Sequence, residues 1–273
     1  MLPNEIISNL RHAPRTYQIA TLTRWLEYID NVHNEPIQLL FNMATGSGKT
    51  YIMAALMLDL YRRGWRNFLF FVNSANILEK TRDNFIHINS PKYLFTPSIK
   101  IDGKFVRVRE IRSFYESDSN AINILFTTTQ RLHKDLNCPH ENRISHAELA
   151  QYNLVLIGDE AHHNNAKNNL YRQAAFGNWE YTVEKIQRQN PKTILLEFTA
   201  TMDFEDEAIR DKYRERTLFQ YVLRKFRQDG FSKEVLLYTA SDNLPERELQ
   251  AIILSQYRKC VAQKNDISLK PVV

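Results

Sequence analysis

Five short runs of this chain are almost continuously apolar: Ile37–Phe41, Phe68–Val72, Ile122–Phe126, Leu154–Ile157 and Ile194–Phe198. Continuous rather than alternating apolarity is what a strand buried on both faces requires. Between these runs the period changes to that of a helix. Tyr51–Arg63 sets Ile52, Ala55, Leu56 and Leu60 on one face with Arg62 and Arg63 near its end, and Thr16–Ile29 and Asn76–Phe85 carry similar spacing. Strands alternating with helices predict an α/β fold with a parallel sheet.

Two stretches interrupt the alternation. Ser98–Val108 places Asp102-Gly103 between the apolar positions Ile99, Ile101, Phe105 and Val106, which predicts an inserted hairpin with a two-residue turn. Asn137–Glu148 is polar and rich in histidine and reads as a surface loop. Beyond Phe198 the pattern changes again. Asp203–Arg227 is charged and helical in pattern, and Glu234–Tyr238 reads as a strand. Asn243 and Glu246 resemble a capping box that opens a helix through Val261, with Leu249, Ile252, Ile253, Tyr257 and Val261 on one face. Lys270-Pro271-Val272-Val273 resembles the first residues of another strand, so we expect the chain to continue into more protein.

With 273 residues, 43% of them hydrophobic and 25% charged, the chain is long and apolar enough to bury a core. No apolar run approaches the ~20 residues of a membrane span, and the N-terminus lacks the pattern of a signal peptide. Cys138 and Cys260 are the only cysteines, which excludes a disulfide framework and fits a reducing cytoplasm, the expected location. The net charge of +5 permits a polyanionic partner without identifying one.

The chemistry is concentrated in two segments. Met43-Ala44-Thr45-Gly46-Ser47-Gly48-Lys49-Thr50 lies between the first strand and the Tyr51 helix, the context of a phosphate-binding loop. Gly46 and Gly48 can take positive φ and turn successive N–H groups inward, and the following helix adds partial positive charge. Thr45, Gly46, Ser47, Gly48, Lys49 and Thr50 are therefore the expected nucleotide-binding residues, with Lys49 on the β- and γ-phosphates and the Thr50 hydroxyl on Mg²⁺. The general pattern has glycine where this chain has Met43. The second segment, Leu154-Val-Leu-Ile-Gly-Asp-Glu-Ala-His-His163, delivers two carboxylates to the C-terminal edge of the sheet. Asp159 is expected to hold Mg²⁺ and Glu160 to orient and deprotonate the attacking water, with Lys49 completing the catalytic set. His162 is expected to couple the nucleotide to the rest of the protein, and His163 to be an ordinary polar neighbour.

With both segments in place, the sequence resembles the superfamily 2 helicases and translocases of the DEAD/DEAH type, and most closely the Res (motor) subunits of type III restriction enzymes. The resemblance implies a RecA-like P-loop NTPase lobe that uses ATP and Mg²⁺ and tracks DNA, with double-stranded DNA the favoured substrate. Arg15-Thr16-Tyr17-Gln18 is similar to the segment ahead of the loop that implies adenine reading by Gln18. Phe71-Val72-Asn73-Ser74 and Phe126-Thr127-Thr128-Thr129-Gln130 lie where the family contacts nucleic acid, which implicates Asn73, Ser74, Thr128, Thr129 and Gln130. Phe198-Thr199-Ala200-Thr201 resembles the motif that implies coupling of hydrolysis to movement by Thr199 and Thr201. The hairpin and Phe226–Lys233 also resemble the restriction branch. The family's second RecA-like lobe, with its arginine finger, is missing from this sequence. We therefore expect residues 1–235 to form the ATP-binding lobe and residues 236–273 a linker strand and helix leading into a truncated second lobe. A methylation and recognition subunit is a further implied partner, and no membrane is.

Other readings remain. Hydroxyls and amides at strand ends can cap helices instead of contacting phosphates. The fragment could bind nucleotide and nucleic acid without turnover, or belong to an RNA helicase. A transporter ATPase or small-molecule kinase is disfavoured, the former by the absence of any Gly-Gly pair. His133, Cys138, His140 and His146 match no paired zinc spacing. Phe219, Tyr221, Phe226 and Tyr257 read as core rather than as base-stacking platforms, and Arg210–Arg227 as a solvated helix face.

Overall fold

The computed structural model describes residues 2–32, 36–137, 144–160, 182–231, 239 and 242–268. The chain divides into two compact units, Met1–Ser232 and Lys233–Val273. The first is built on β1 (Gln38–Met43), β2 (Asn67–Val72), β3 (Ile99–Ile101), β4 (Lys104–Glu110), β5 (Ala121–Thr128), β6 (Leu154–Asp159), β7 (Ile194–Thr199) and β8 (Thr217–Tyr221). They form one sheet in the order β3-β4-β5-β2-β6-β7-β1-β8, and every pairing except β3 with β4 is parallel.

The five apolar runs are the central strands, and their residues alternate between two separate cores. Phe68, Phe70, Val155, Ile157, Leu196 and Phe198 enter one core with helices α1 (Asn4–Ser8), α2 (Thr16–Asn31), α3 (Lys49–Arg62) and α4 (Ala75–Phe85). Leu69, Phe71, Leu125, Leu154, Leu156 and Leu195 enter the other, under α5 (Thr129–Asn137), α6 (His146–Leu149) and α7 (residues 182–189). A strand with a core on each side has no polar face to spare, which is why these runs are continuous.

Several local expectations change in the folded chain. α3 is buried from Tyr51 to Tyr61 on every side, because it packs against α1, α2 and α4 as well as lying over the sheet. Its one acid, Asp59, is tolerated because Trp25 Nε1 donates to it at 2.8 Å and Arg62 and Arg63 pair with it at 2.9 and 2.8 Å. The expected hairpin forms, with Asp102 (φ 49°) and Gly103 (φ 76°) in its turn, and β4 also runs on as a parallel neighbour of β5 and so joins the main sheet. Part of the expected His-rich loop is helical in α6, where Glu148 is buried and accepts from Ser113 Oγ and Phe114 N. The charged segment after Phe198 is not one helical stretch. It contains α8 (Glu207–Tyr213), then β8, then α9 (Leu223–Gln228). β8 exists because it pairs with Leu40–Met43 of β1 and buries Phe219 and Tyr221.

In the second unit, α10 (Leu244–Lys264) starts at its Asn243 N-cap. Leu249, Ile252, Ile253, Tyr257 and Val261 are exposed, so among the described residues of their own unit nothing covers this apolar face, and Tyr257 is not a core residue. The expected strand Glu234–Tyr238 and the terminal Lys270–Val273 lie outside the described residues. Among the described residues, no helix is long and apolar enough to cross a membrane.

Candidate functional site

Parallel pairing brings the C-terminal ends of β1, β7 and β6 to one edge. Asn42 lies opposite Thr199, and Phe198 opposite Asp159. The loop after β1 and the acids after β6 therefore share that edge, with Thr199 between them.

The loop is shaped by its glycines. Gly46 (φ 80°) and Gly48 (φ 83°) occupy the left-handed region, and Gly48 forms the N-cap of α3. A Cβ on Gly48 would come within 2.5 Å of Gln18 Nε2. The loop is tied down by Ser47 N to Ala44 O at 3.1 Å and by Ala44 N to Tyr221 O at 2.8 Å. Among the described residues, the N–H groups of Gly46, Gly48, Lys49 and Thr50 donate to no other backbone group. Among the described residues, Ser47 Oγ is buried with no partner, and Lys49 Nζ makes only a long 3.4 Å contact with Met43 O. Orphaned donors, a buried hydroxyl and a weakly held ammonium fit a polyphosphate.

The acidic end fits a hard cation. Burial pushes the Asp159 carboxyl up to about 6, the nearby Lys49 ammonium draws it down, Glu160 pushes it up, and the Glu160 N–H, 3.0 Å from Oδ1, draws it down. Lys49 and Asp159 are thus electrostatic neighbours although 110 positions separate them. A carboxylate that burial discourages from ionising is one that a divalent cation would stabilise, and the hydroxyl of Thr50 beside Lys49 is the second oxygen donor of the right type. Glu160 adopts φ 58°, a left-handed conformation that costs a non-glycine residue about 1–2 kcal/mol. Strain of this kind persists where surrounding structure imposes it, often at reactive sites. Gly158, one residue before Asp159, is required by Phe71, whose ring would lie 2.7 Å from an added Cβ.

Gln18 sits against the loop. Its Oε1 accepts from Arg15 N at 2.9 Å and its Nε2 donates to Ser47 O at 2.9 Å. Each atom keeps one further hydrogen-bonding valence, so the amide can still offer a donor–acceptor pair to a base. Tyr17, to which the sequence assigned no role, also donates to Ser47 O at 2.9 Å. Its ring stacks on Tyr221 with centroids 4.2 Å apart and meets Phe226 and Phe231 edge-on, while the Arg15 guanidinium lies over Phe231. Tyr221 and Phe226 are buried here as core, and they also brace the loop through Tyr17. Only the Arg15–Gln18 motif hinted at this, because its partners lie some 200 positions downstream.

The remaining predicted residues group as follows. Thr199 Oγ1 hydrogen-bonds within its own segment to Thr201 N and O, each at 3.2 Å. Asn73 and Ser74 follow β2, and Thr129 and Gln130 follow Thr128 of β5; Val72 pairs with Thr128, so the two segments are adjacent. Within them, Ser74 stands at the N-cap position of α4 without a side-chain capping bond, Thr128 Oγ1 accepts from Arg131 N at 3.2 Å, and Thr129 is buried while Gln130 is exposed. Capping thus occupies part of this set. His162 and His163 lie outside the described residues, as do Cys138 and His140. Among the described residues there is no cluster of three metal-ligating side chains.

A family model described as type III restriction enzyme, res subunit, matches residues 11–204. Across its whole length the chain is 34% identical to the probable type III restriction-modification enzyme HindVIP Res subunit of Haemophilus influenzae, and it spans 58% of that relative. Among solved structures, the ATP-dependent type ISP restriction-modification enzyme LlaBIII bound to DNA superposes with a TM-score of 0.50 at 15% identity. The match covers 80% of this chain and 16% of that one, and at such identity it speaks to the RecA-like fold alone.

Proposed function

Because the chain belongs to the family of type III restriction enzyme Res subunits, we propose that residues 1–235 are the ATP-binding lobe of an ATP-driven DNA translocase. The observation that supports this reading is that the loop after β1, which carries Lys49, and Asp159 at the end of β6 lie at one edge of the sheet. In it, the Gly46–Thr50 amides and Lys49 hold the phosphates, while Thr50 and Asp159 hold Mg²⁺. The bound cation supplies neutralisation of charge on the phosphate oxygens. Glu160 orients a water and accepts its proton, and Gln18 reads the adenine edge. Thr199 and Thr201, with His162, couple hydrolysis to movement, and the Asn73–Ser74 and Thr128–Gln130 segments line a duplex DNA path.

Residues 236–273 are read as the link to a second lobe that brings the arginine finger, a contribution of ~10³–10⁵ in rate. A methylation and recognition subunit would direct the motor to its sites. Calorimetric titration with ATP and Mg²⁺ tests the assignment: Lys49→Ala should abolish binding, and unchanged affinity would overturn it. Glu160→Gln should leave binding intact and eliminate hydrolysis when the second lobe is present. Residues 1–273 alone should hydrolyse ATP only weakly with or without duplex DNA; brisk DNA-stimulated turnover would remove the need for an external arginine.

A further inference from the structure

At one edge of the sheet, the β3-β4 hairpin buries one face of its strands among the described residues. Ile99, Ile101 and Val106 turn into the core and are at most 4% exposed. The opposite face carries Lys100 and Phe105, which pair directly across the hairpin, and then Arg107 and Arg109 at the next two positions of β4. Ile111, the next residue in that alternation, belongs to the second core, and past it the cover stops. Phe105 is 72% exposed, the most exposed large apolar side chain among the described residues.

The chain around this ring is rich in positive charge, with Glu5 and Asp118 as acidic neighbours from other elements. Lys92–Arg112 holds six basic and two acidic residues, against a net charge of +5 for the whole chain. One of the acids, Glu110, is on the other face of β4 and is paired with Arg82. Arg107, whose side chain is 84% exposed, has among the described residues only a 3.6 Å contact with Asp118. The mount is rigid: Asn9, buried, grips both backbone groups of Lys100, at 2.8 and 2.9 Å, and Glu5 Oε1 accepts from Asp102 N at 3.2 Å. Arg107 lies opposite Ala121, the first residue of β5, so Phe105 projects past the N-terminal edge of the sheet. That is the end opposite Lys49 and Asp159.

We propose that this face is a separate binding surface for single-stranded nucleic acid, with a base stacked on Phe105 and phosphates held by Lys100, Arg107 and Arg109. A ring this exposed stacks most readily on an unpaired base, whose faces are free without unstacking a duplex, and stacking of that kind is tolerant of sequence. Arg107 and Arg109 stand ~6.7 Å apart along the strand, a spacing that suits successive phosphates of an extended strand. An acidic peptide would satisfy the cations and leave the aromatic face unused. The inference does not depend on the nucleotide site.

The test is fluorescence anisotropy of the full chain, without nucleotide, on a labelled oligothymidylate and on a blunt duplex. Phe105→Ala should weaken oligothymidylate binding about 5- to 150-fold and duplex binding less than twofold, with Phe105→Trp restoring it. Arg107→Ala with Arg109→Ala should lower the slope of log K against log salt by about 1.4 on the single strand. Lys100, Phe105 and Arg107 are exposed and Arg109 is half-buried, and unchanged urea midpoints will confirm that the variants fold. Equal losses on both DNAs, no effect of Phe105→Ala, or no single-strand binding by the parent chain would overturn the proposal. So would binding of polyglutamate that falls in proportion with Phe105→Ala, which would assign the surface to an acidic protein partner.

Discussion

Replacing Gly158 by alanine tests how the sheet sets the position of Asp159. Gly158 lies opposite Phe71 in the pairing of β6 with β2. An added Cβ would meet Phe71 Cζ at 2.7 Å and Cε2 at 2.8 Å, closer than carbon atoms approach. Phe71 is 1% exposed within the second core, so its ring has no solvent to swing into. Gly158 is not in the left-handed region, and there Gly→Ala ordinarily stabilises by about 0.4–1 kcal/mol through the unfolded chain. Overpacking in a closed core costs about 1–3 kcal/mol, so the clash should win by roughly 1–2 kcal/mol. The strand has to yield next to Asp159, and affinity for ATP with Mg²⁺ should fall as well. Phe71→Leu shortens the ring side chain, destabilises the parent on its own, and should rescue Gly158→Ala. A double-mutant cycle on urea unfolding should therefore show a favourable coupling of about 0.5–3 kcal/mol. A Gly158→Ala protein as stable as the parent, or additive effects of the two changes, would refute the close approach as the reason for glycine.

Three further outcomes follow from the site and its support. Asp159 is held at about 6, above an unfolded value of about 3.9; the folded state then binds its proton more tightly, so this group's contribution to stability falls as pH rises from about 4 to about 6 and is level above. Asp159→Asn should remove that fall, and Mg²⁺ should stabilise the parent but not the variant above pH 6, as paired urea midpoints at pH 4.5 and 7 will read. Asp59→Ala orphans the buried Trp25 indole N–H at a cost of about 1–3 kcal/mol, less than breaking a wholly buried ion pair because Arg62 and Arg63 are 33% and 21% exposed and can reach water. Asp59→Asn should recover much of it, and equal losses for the two changes by thermal unfolding would contradict this. Gln18→Ala should weaken ATP more than GTP if the amide reads the base, whereas equal weakening by calorimetry would reduce Gln18 to a support for Ser47.

The local chemistry of the chain was enough to mark the five buried strands, the glycine-rich loop, the Asp102-Gly103 turn and the Asp-Glu pair. Each depends on residues adjacent in sequence: an apolar run, the φ freedom of Gly46 and Gly48, a helix beginning at Lys49. What the sequence alone left undecided depends on partners that are remote. Thr217–Tyr221 is a strand only because β1 offers it an edge, and its charged flanks read as helix. α3 is buried all round because three helices surround it, a fact absent from its own periodicity. Glu148 is buried by Ser113 and Phe114, Tyr17 is stacked by Tyr221, and Gly158 is demanded by Phe71. Periodicity tells a residue which face it occupies; which neighbour meets that face is a matter of strand order, and only the folded sheet decides it.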